Sequence, residues 1–301
     1  MIKSFLDYMR YELNRAPLTV EAYGTDLNQF GEWLSPSNPE KADFLSVTSS
    51  DVRAWLSSLA RKGDTSRTLR RKIISLRALY RWLQKTGKIS KSPIGEIPLP
   101  KISKPLPDII KAHEIEKAFI DIQNSEEEEE TKILKTLVLD MLYTLGIRRA
   151  ELIGINDSDI SFEKAEIKVT GKRSKQRIIP LPTVLLSKIK EWQKIRNEIF
   201  DSPIEGQPLL IIKGKRISAQ QVYKIVHSAL AESTARKKSP HALRHSFASG
   251  MLNGGADLDS VKEFLGHSSL ATTQIYTHIS LNEIKKAYTT AHPRSASKKD
   301  R

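Results

Sequence analysis

Two arginines, a lysine, two histidines and a tyrosine, spread from residue 148 to residue 276, carry the chemistry legible in this sequence. They are Arg148 in Gly146-Ile147-Arg148-Arg149-Ala150-Glu151-Leu152, Lys172 in Gly171-Lys172-Arg173-Ser174-Lys175, His241 and Arg244 in His241-Ala242-Leu243-Arg244-His245, His267, and Tyr276. Guanidinium forks match phosphate oxygens bidentately, so a pair of them can hold the negative, five-coordinate phosphorus that an attacking nucleophile creates. Add a phenol to attack and an imidazole or ammonium to move protons, and the set can open a phosphodiester without a metal ion. The chain has no cysteine, which removes thiolate nucleophiles, disulfides and Cys-ligated zinc, so the nucleophile must be an oxygen. A free phenol has a pKa of ~10, leaving about one in a thousand ionised at neutral pH, so a base or a strong positive field must assist.

His245 follows His241 at the i,i+4 spacing of a zinc pair, but Ala242 stands where the glutamate of a zincin helix belongs, and no metal is expected. His113 and His227 fall outside these boxes and are read as ordinary histidines.

The elements that must position these groups divide around a seam. From Lys91 to Asp108, prolines 93, 98, 100, 105 and 107 crowd a stretch that suits neither a helix interior nor a central strand, and it reads as a linker. Ahead of it the pattern is helical throughout. Thr19 is a candidate N-cap for a helix carrying Val20, Tyr23, Leu27, Phe30 and Leu34. A second helix starts near Ser50, carries Val52, Trp55, Leu56 and Leu59, and stops at Gly63. A third runs from about Ser66 to Lys85. At ~100° per residue its Leu69, Ile73, Leu76, Leu79, Tyr80 and Leu83 share one arc. Arg67, Arg70, Arg71, Arg77, Arg81 and Lys85 share the other, with no acidic residue among them, and Lys72 and Ile74 break the pattern. An ordinary solvated face mixes charge signs, so this arc is read as a nucleic-acid contact.

Beyond the linker the pattern stays mainly helical with one strand-like interlude. Glu166-Ile167-Lys168-Val169-Thr170 and Arg177-Ile178-Ile179-Pro180-Leu181 flank the turn that holds Lys172 and predict a hairpin, with a third short strand near Ser158 to Phe162. The run from Glu126 to Glu130 decorates the start of the helix carrying Leu134, Leu137, Val138, Met141 and Leu142, where carboxylates suit the helix dipole, and is given no function.

Length and charge agree with this division. The 301 residues suit two domains, and the net charge of +14, from 49 Lys and Arg against 35 Asp and Glu, points to a polyanionic partner. Met1 to Pro107 alone holds 18 Lys and Arg against 10 Asp and Glu. The longest apolar stretch, Ile133 to Leu145, is broken by Lys135 and Asp140 and is shorter than the roughly 20 residues of a bilayer span. The N-terminal residues lack the apolar core of a secretory signal, so a cytoplasmic, nucleoid-associated address is expected.

Taken in order and spacing, Gly146-Ile147-Arg148 with Glu151-Leu152, His241-x-x-Arg244-His245, Leu265-Gly266-His267 and Tyr276-Thr277-His278 resemble the boxes of the tyrosine recombinases of the phage-integrase type. Thr19 to Leu27 and the ending Ala291-His292-Pro293-Arg294 extend the likeness over nearly the whole chain, and the ending is similar to that of the Xer recombinases.

The resemblance implies a mainly α protein with a helical core-binding (SAM-like) domain over 1–92, a Pro-rich linker over 93–108, an α+β catalytic domain with a small antiparallel sheet over 109–294, and a disordered tail over 295–301. It implies that Tyr276 attacks the scissile phosphate to give a 3′-phosphotyrosyl link, with His241 taking the proton. Arg148, Arg244 and His267 would hold the phosphate, and Lys172 would protonate the leaving 5′-oxygen, with Glu151 orienting the site. Family members commonly have Gly-Lys-Gly where this chain has Gly171-Lys172-Arg173, which leaves Lys175 as the other candidate acid.

No cofactor or ATP is implied, because the covalent link keeps the phosphodiester's energy. The implied partners are double-stranded DNA carrying a specific site and a homo- or hetero-tetramer, the latter with a second Xer-type recombinase. The segment Leu281 to Tyr288 would dock in a neighbouring protomer, and the implied task is chromosome dimer resolution. Movement of a mobile element, a relaxing enzyme of the type IB topoisomerase class, and a DNA-binding protein without catalysis are the alternatives.

Overall fold

The computed structural model describes residues 1–38, 42–102, 109–171, 175–200 and 207–266. The chain divides into two compact units, Met1–Pro105 and Leu106–Arg301.

The first unit is helical, with no strand among its described residues. Helix α1 (Ile2–Asp7) continues into a π turn at Tyr8–Glu12. Helix α2 (Pro17–Leu34) begins ahead of the expected cap at Thr19, because Pro17 takes the first helical position, where a missing N–H costs nothing and φ is already helical. In α3 (Ser49–Arg61), Thr48 and Asp51 form a reciprocal capping box, and Thr65 caps α4 (Ser66–Lys85). Leu27, Phe30, Trp55, Ile73, Leu76, Leu79, Tyr80 and Leu83 make the core, with the Phe30 and Trp55 ring centroids 4.8 Å apart.

Asp26, fully buried on α2, accepts from Arg71 Nη1 at 2.5 Å and from Ser75 Oγ at 2.8 Å, pinning α2 to α4. Lys72, out of pattern in the sequence, is buried between Gln29, Asp26 and the Trp55 ring. The Pro-rich stretch is not all connector: Ile94 and Ile97 are buried in this core, and Arg77 Nη2 donates to the Ile97 carbonyl at 2.6 Å.

In the second unit, α6 (Glu129–Leu145) runs through the core, its last nine residues all buried, with α5 (Ala112–Gln123) against it. Glu128 precedes its first turn and Glu127 pairs with Lys135, in keeping with the dipole reading of the acidic run. A short α7 (Arg149–Gly154) and a 3-10 turn at Asp157–Asp159 lead into an antiparallel sheet of β1 (Ile160–Ser161), β2 (Glu166–Thr170) and β3 (Gln176–Pro180), in that order.

Helix α8 (Thr183–Ile199) packs on α6, where Lys188 meets the buried Asp140 at 2.6 Å. A second hairpin, β4 (Ile211–Ile212) and β5 (Lys215–Arg216), turns at Lys213 and Gly214, both with positive φ, as the tightest two-residue turns require. Then follow α9 (Ala219–Ala229) and α10 (Pro240–Asn253), both against α6, and α11 (Leu258–Leu265) against α10. No helix among the described residues is long and apolar enough to cross a membrane.

Candidate active site

The box Gly146-Ile147-Arg148 joins two helices. Gly146 ends α6 in the left-handed conformation (φ +55°), and a Cβ there would sit 2.3 Å from a ring carbon of Phe247. Only glycine meets both demands. Ile147 is buried, and Arg148 starts α7 from the N-cap position. Glu151, three residues on, accepts the Arg148 backbone N–H at 2.8 Å, so the carboxylate occupies the first turn of its own helix, at the positive end of the dipole.

Three guanidinium groups converge on this carboxylate. Arg148 Nη1 donates to Glu151 Oε1 at 2.7 Å. Arg177 Nη1 and Nη2 grip Oε1 and Oε2 at 3.0 and 2.9 Å, and Arg244 Nη1 lies 4.0 Å from Oε2. The same three arginines close the end of α11 on consecutive carbonyls. Arg177 Nε donates to Phe264 at 3.0 Å, Arg244 Nη2 to Leu265 at 2.5 Å, and Arg148 Nη2 to Gly266 at 3.2 Å. Carbonyls that end a helix have no partner within it and carry its partial negative charge, so cations are at home there. Gly266 is left-handed (φ +62°), and a Cβ on it would come within 3.2 Å of Arg177 Nη1.

Charge decides what this cluster can hold. Burial alone would raise the Glu151 pKa, but Arg177 and Arg148 more than offset it and hold the carboxyl at about 2. Burial, with the nearby Arg148 charge, brings Arg244 down to about 10, still cationic at neutral pH. Among the described residues, three guanidiniums face one carboxylate, an excess of positive charge, with the Arg148 side chain still one-third exposed. A bound anion would relieve that excess.

His241 stands in the first turn of α10, whose N-cap Ser239 accepts the Ala242 N–H and whose first residue is Pro240. Its pKa is lowered, first by burial and then by His245, Arg244, Arg148 and Lys237, so the imidazole is neutral at neutral pH and free to accept a proton. The His241 and His245 rings lie edge to face at 4.6 Å, and no third histidine or carboxylate joins them in a metal-binding group among the described residues.

Of the expected site residues, Arg148, Glu151, Arg244 and His241 come together. Lys172, His267 and Tyr276 lie outside the described residues, as do Leu281 to Tyr288, the Ala291–Arg294 ending and the tail. Lys175 is exposed, and its carbonyl closes the hairpin loop by accepting the Gly171 N–H at 2.7 Å. Gly171, next to Lys172 in the chain, is packed so closely that a Cβ would meet Glu151 Oε1 at 3.2 Å. Arg177 was not among the expected residues. Its signal was available in the strand pattern: it shares a face with the buried Ile179, while Ile178 between them is 48% exposed.

The N-terminal arc is mixed in the structure. Arg67, Arg71, Arg81 and Lys85 are exposed, with Arg71 tied to Asp26 and Lys85 beside the Tyr8 ring. Arg70 and Arg77 are half-buried and donate to the Pro100 and Ile97 carbonyls. Ile74 is 39% exposed amid them.

The profile of the phage integrase family matches residues 109–283, a span that includes all six expected catalytic positions, and that of the phage integrase N-terminal SAM-like domain matches residues 2–87. The chain belongs to the phage integrase family of tyrosine recombinases. Among its relatives, the tyrosine recombinase XerC of Chlorobaculum parvum is 34% identical over 315 residues, covering 97% of this chain and 94% of the relative. That of Corynebacterium glutamicum is 34% identical over 297 residues, covering 98% and 92%. The XerH site-specific recombinase bound to palindromic difH substrate, in a post-cleavage complex, is similar with a TM-score of 0.69 and 25% identity, covering 96% of this chain and 84% of that one. The Tn1549 transposon integrase shares the fold (TM-score 0.68, 21% identity, 95% and 97% covered). This family member is therefore a site-specific recombinase enzyme of Xer type, with the SAM-like N-terminal domain and catalytic fold expected from its sequence.

Proposed function

We propose that this recombinase breaks and rejoins double-stranded DNA at a specific site through Tyr276. The observation that carries this is the convergence of Arg148, Arg177 and Arg244 on one buried carboxylate and on the end of α11, beside an imidazole kept neutral. It is a cationic cluster suited to an anion, with a proton acceptor beside it.

In this chemistry the Tyr276 oxygen bonds to phosphorus, its proton passes to His241, and the bond to the 5′-oxygen breaks. Lys172 delivers a proton to that oxygen, giving a free 5′-hydroxyl and a 3′-phosphotyrosyl link, and attack by another strand's 5′-hydroxyl reverses the steps. Lys175, exposed at the base of the same loop, is the alternative acid. Arg148 and Arg244 hold the non-bridging oxygens and His267 hydrogen-bonds the same phosphate, so the charge gathering in the transition state is met by fixed donors.

DNA lies against the basic α4 face: Arg67, Arg71, Arg81 and Lys85 reach phosphates, while Arg70 and Arg77 shape the surface beneath them. We place the DNA-binding domain at 1–92, a linker at 93–108 whose Ile94 and Ile97 pack into that domain's core, the catalytic domain at 109–294 and a tail at 295–301. The active assembly is a tetramer on two duplexes, of this chain alone or with a second Xer-type recombinase. The segment from Leu281 to Tyr288 is exchanged between protomers, the cytoplasmic nucleoid is the place of action, and resolution of chromosome dimers is the task.

The test is incubation of the full chain with nicked candidate sites, wild type beside Tyr276→Phe, on a denaturing gel. The covalent DNA adduct is expected with the wild type alone. An adduct with both proteins means that another residue attacks. Selection of bound sequences from random DNA supplies the site.

A further inference from the structure

We infer that Arg177 is a positioning residue for strand cleavage: it locks Glu151 to the end of α11, so that Arg148 meets the scissile phosphate in one fixed orientation. This role presupposes the recombinase reading and gives Arg177 a task that the reading leaves unassigned.

The geometry is a two-sided clamp. Both terminal nitrogens of Arg177 lie on the two Glu151 oxygens, at 3.0 and 2.9 Å, the bidentate arrangement a planar fork makes best. Its Nε points elsewhere, to the Phe264 carbonyl at 3.0 Å. One rigid group thus joins α7 to α11, which lysine, a single point donor, cannot do. The strand sets its aim: Arg177 pairs in register with the buried Val169 and shares a face with Ile179. Its Nη1 and Cδ would come within 3.2 and 3.4 Å of a Cβ on Gly266, the residue whose carbonyl receives Arg148.

Arg148 depends on this clamp at both ends. Its Nη1 shares Glu151 Oε1 with Arg177, and its Nη2 rests on the α11 terminus that Arg177 anchors. Without Arg177, Glu151 retains, among the described residues, the Arg148 contacts and Arg244 at 4.0 Å, and can swing toward the latter. The Arg177 side chain is 16% exposed against 33% for Arg148, so Arg177 acts through its neighbours and not on the substrate.

The experiment uses the full chain with Arg177→Met and Arg177→Lys, and measures single-turnover adduct formation on two nicked substrates. One carries an ordinary scissile phosphodiester; the other carries a methylphosphonate there, which has one charged oxygen fewer for the arginines to hold. Binding is measured in parallel in the Tyr276→Phe background. Relative to wild type, cleavage of the phosphodiester is expected to fall about 100-fold with Met and about 10-fold with Lys, the scale of a misplaced charge-stabilising group, with DNA affinity within about twofold. On the methylphosphonate the same ratio should shrink below about fivefold, because the misplaced donors matter less. Equal losses on both substrates, or a loss of affinity that tracks the loss of cleavage, would overturn the positioning role and leave Arg177 a structural residue. Absence of any adduct with the wild type would instead strike the recombinase reading itself.

Discussion

The Gly146 carbonyl accepts a hydrogen bond from Arg244 Nη1 at 2.5 Å, across 98 residues of chain. The bond explains why the glycine of the first box and the arginine of the third belong to one device. Gly146 must be left-handed to end α6, must lack a Cβ because Phe247 fills that space, and in doing so turns its carbonyl to Arg244. Gly146→Ala is therefore expected to cost about 3 kcal/mol, combining backbone strain with overpacking, and to lower cleavage further than stability alone explains. Chemical denaturation beside single-turnover cleavage checks both; a wild-type denaturation midpoint would contradict the packing account.

Acid should loosen the arginine cluster. The folded-state pKa of Glu151 lies below its ordinary 4.5, at about 2, so its contribution is fully present above pH 4.5 and is lost as pH falls toward 2. By the free energy per pKa unit the contribution is roughly 3 kcal/mol. Glu151→Gln should lower stability at pH 7 and flatten the dependence on pH across this window. Thermal unfolding followed from pH 3 to pH 7 reads the difference.

The pH dependence of cleavage should report His241. Its pKa is lowered below the ordinary 6.5, first by burial, so the proton-accepting form predominates at pH 6.5 and above and is lost as pH falls through the folded value. Single-turnover rates should therefore fall on the acid side with a midpoint below 6.5, and His241→Gln should be slow and lack that acid limb. A wild-type profile whose midpoint lies above 6.5 would assign the proton transfer elsewhere.

Salt should sort the basic residues of α4. Arg67→Ala and Arg81→Ala each remove an exposed cation, and each should reduce the slope of log K against log salt by about 0.9, one phosphate's share. Arg70→Ala and Arg77→Ala remove half-buried donors to the 97–100 segment, so their slopes should change less while thermal stability falls more. Anisotropy titrations on duplex DNA from 50 to about 200 mM salt, the range over which phosphate contacts are most evident, distinguish the pairs.

Local signals in the sequence located most of what positions the site. The α4 helix runs from Ser66 to Lys85 as its periodicity predicts, since a 20-residue amphipathic pattern with a threonine cap leaves little choice. The hairpin around Lys172 and the third strand at Ile160–Ser161 also lie where the alternation puts them. The convergence of Arg148, Glu151, Arg244 and His241 follows the order of the motif boxes. What escaped depends on partners distant in the chain. Arg177 reads locally as one more surface cation, and only the Glu151 carboxylate 26 residues away makes it a clamp. Ile94 and Ile97 look like linker residues amid prolines, yet the helical bundle buries them. The Lys213-Gly214 hairpin leaves no alternation to read, since its strands are two residues each.

The end of α11 has a wider consequence. Among the described residues, the contacts that order the three guanidiniums are made at or before Gly266, so the arginine share of the proposed phosphate grip is set by chain that precedes His267. In the proposed chemistry the attacking tyrosine belongs to the chain beyond that point. On that reading holding and cutting are separable, since the arginines that grip the target and the blade that opens it come from different stretches of chain.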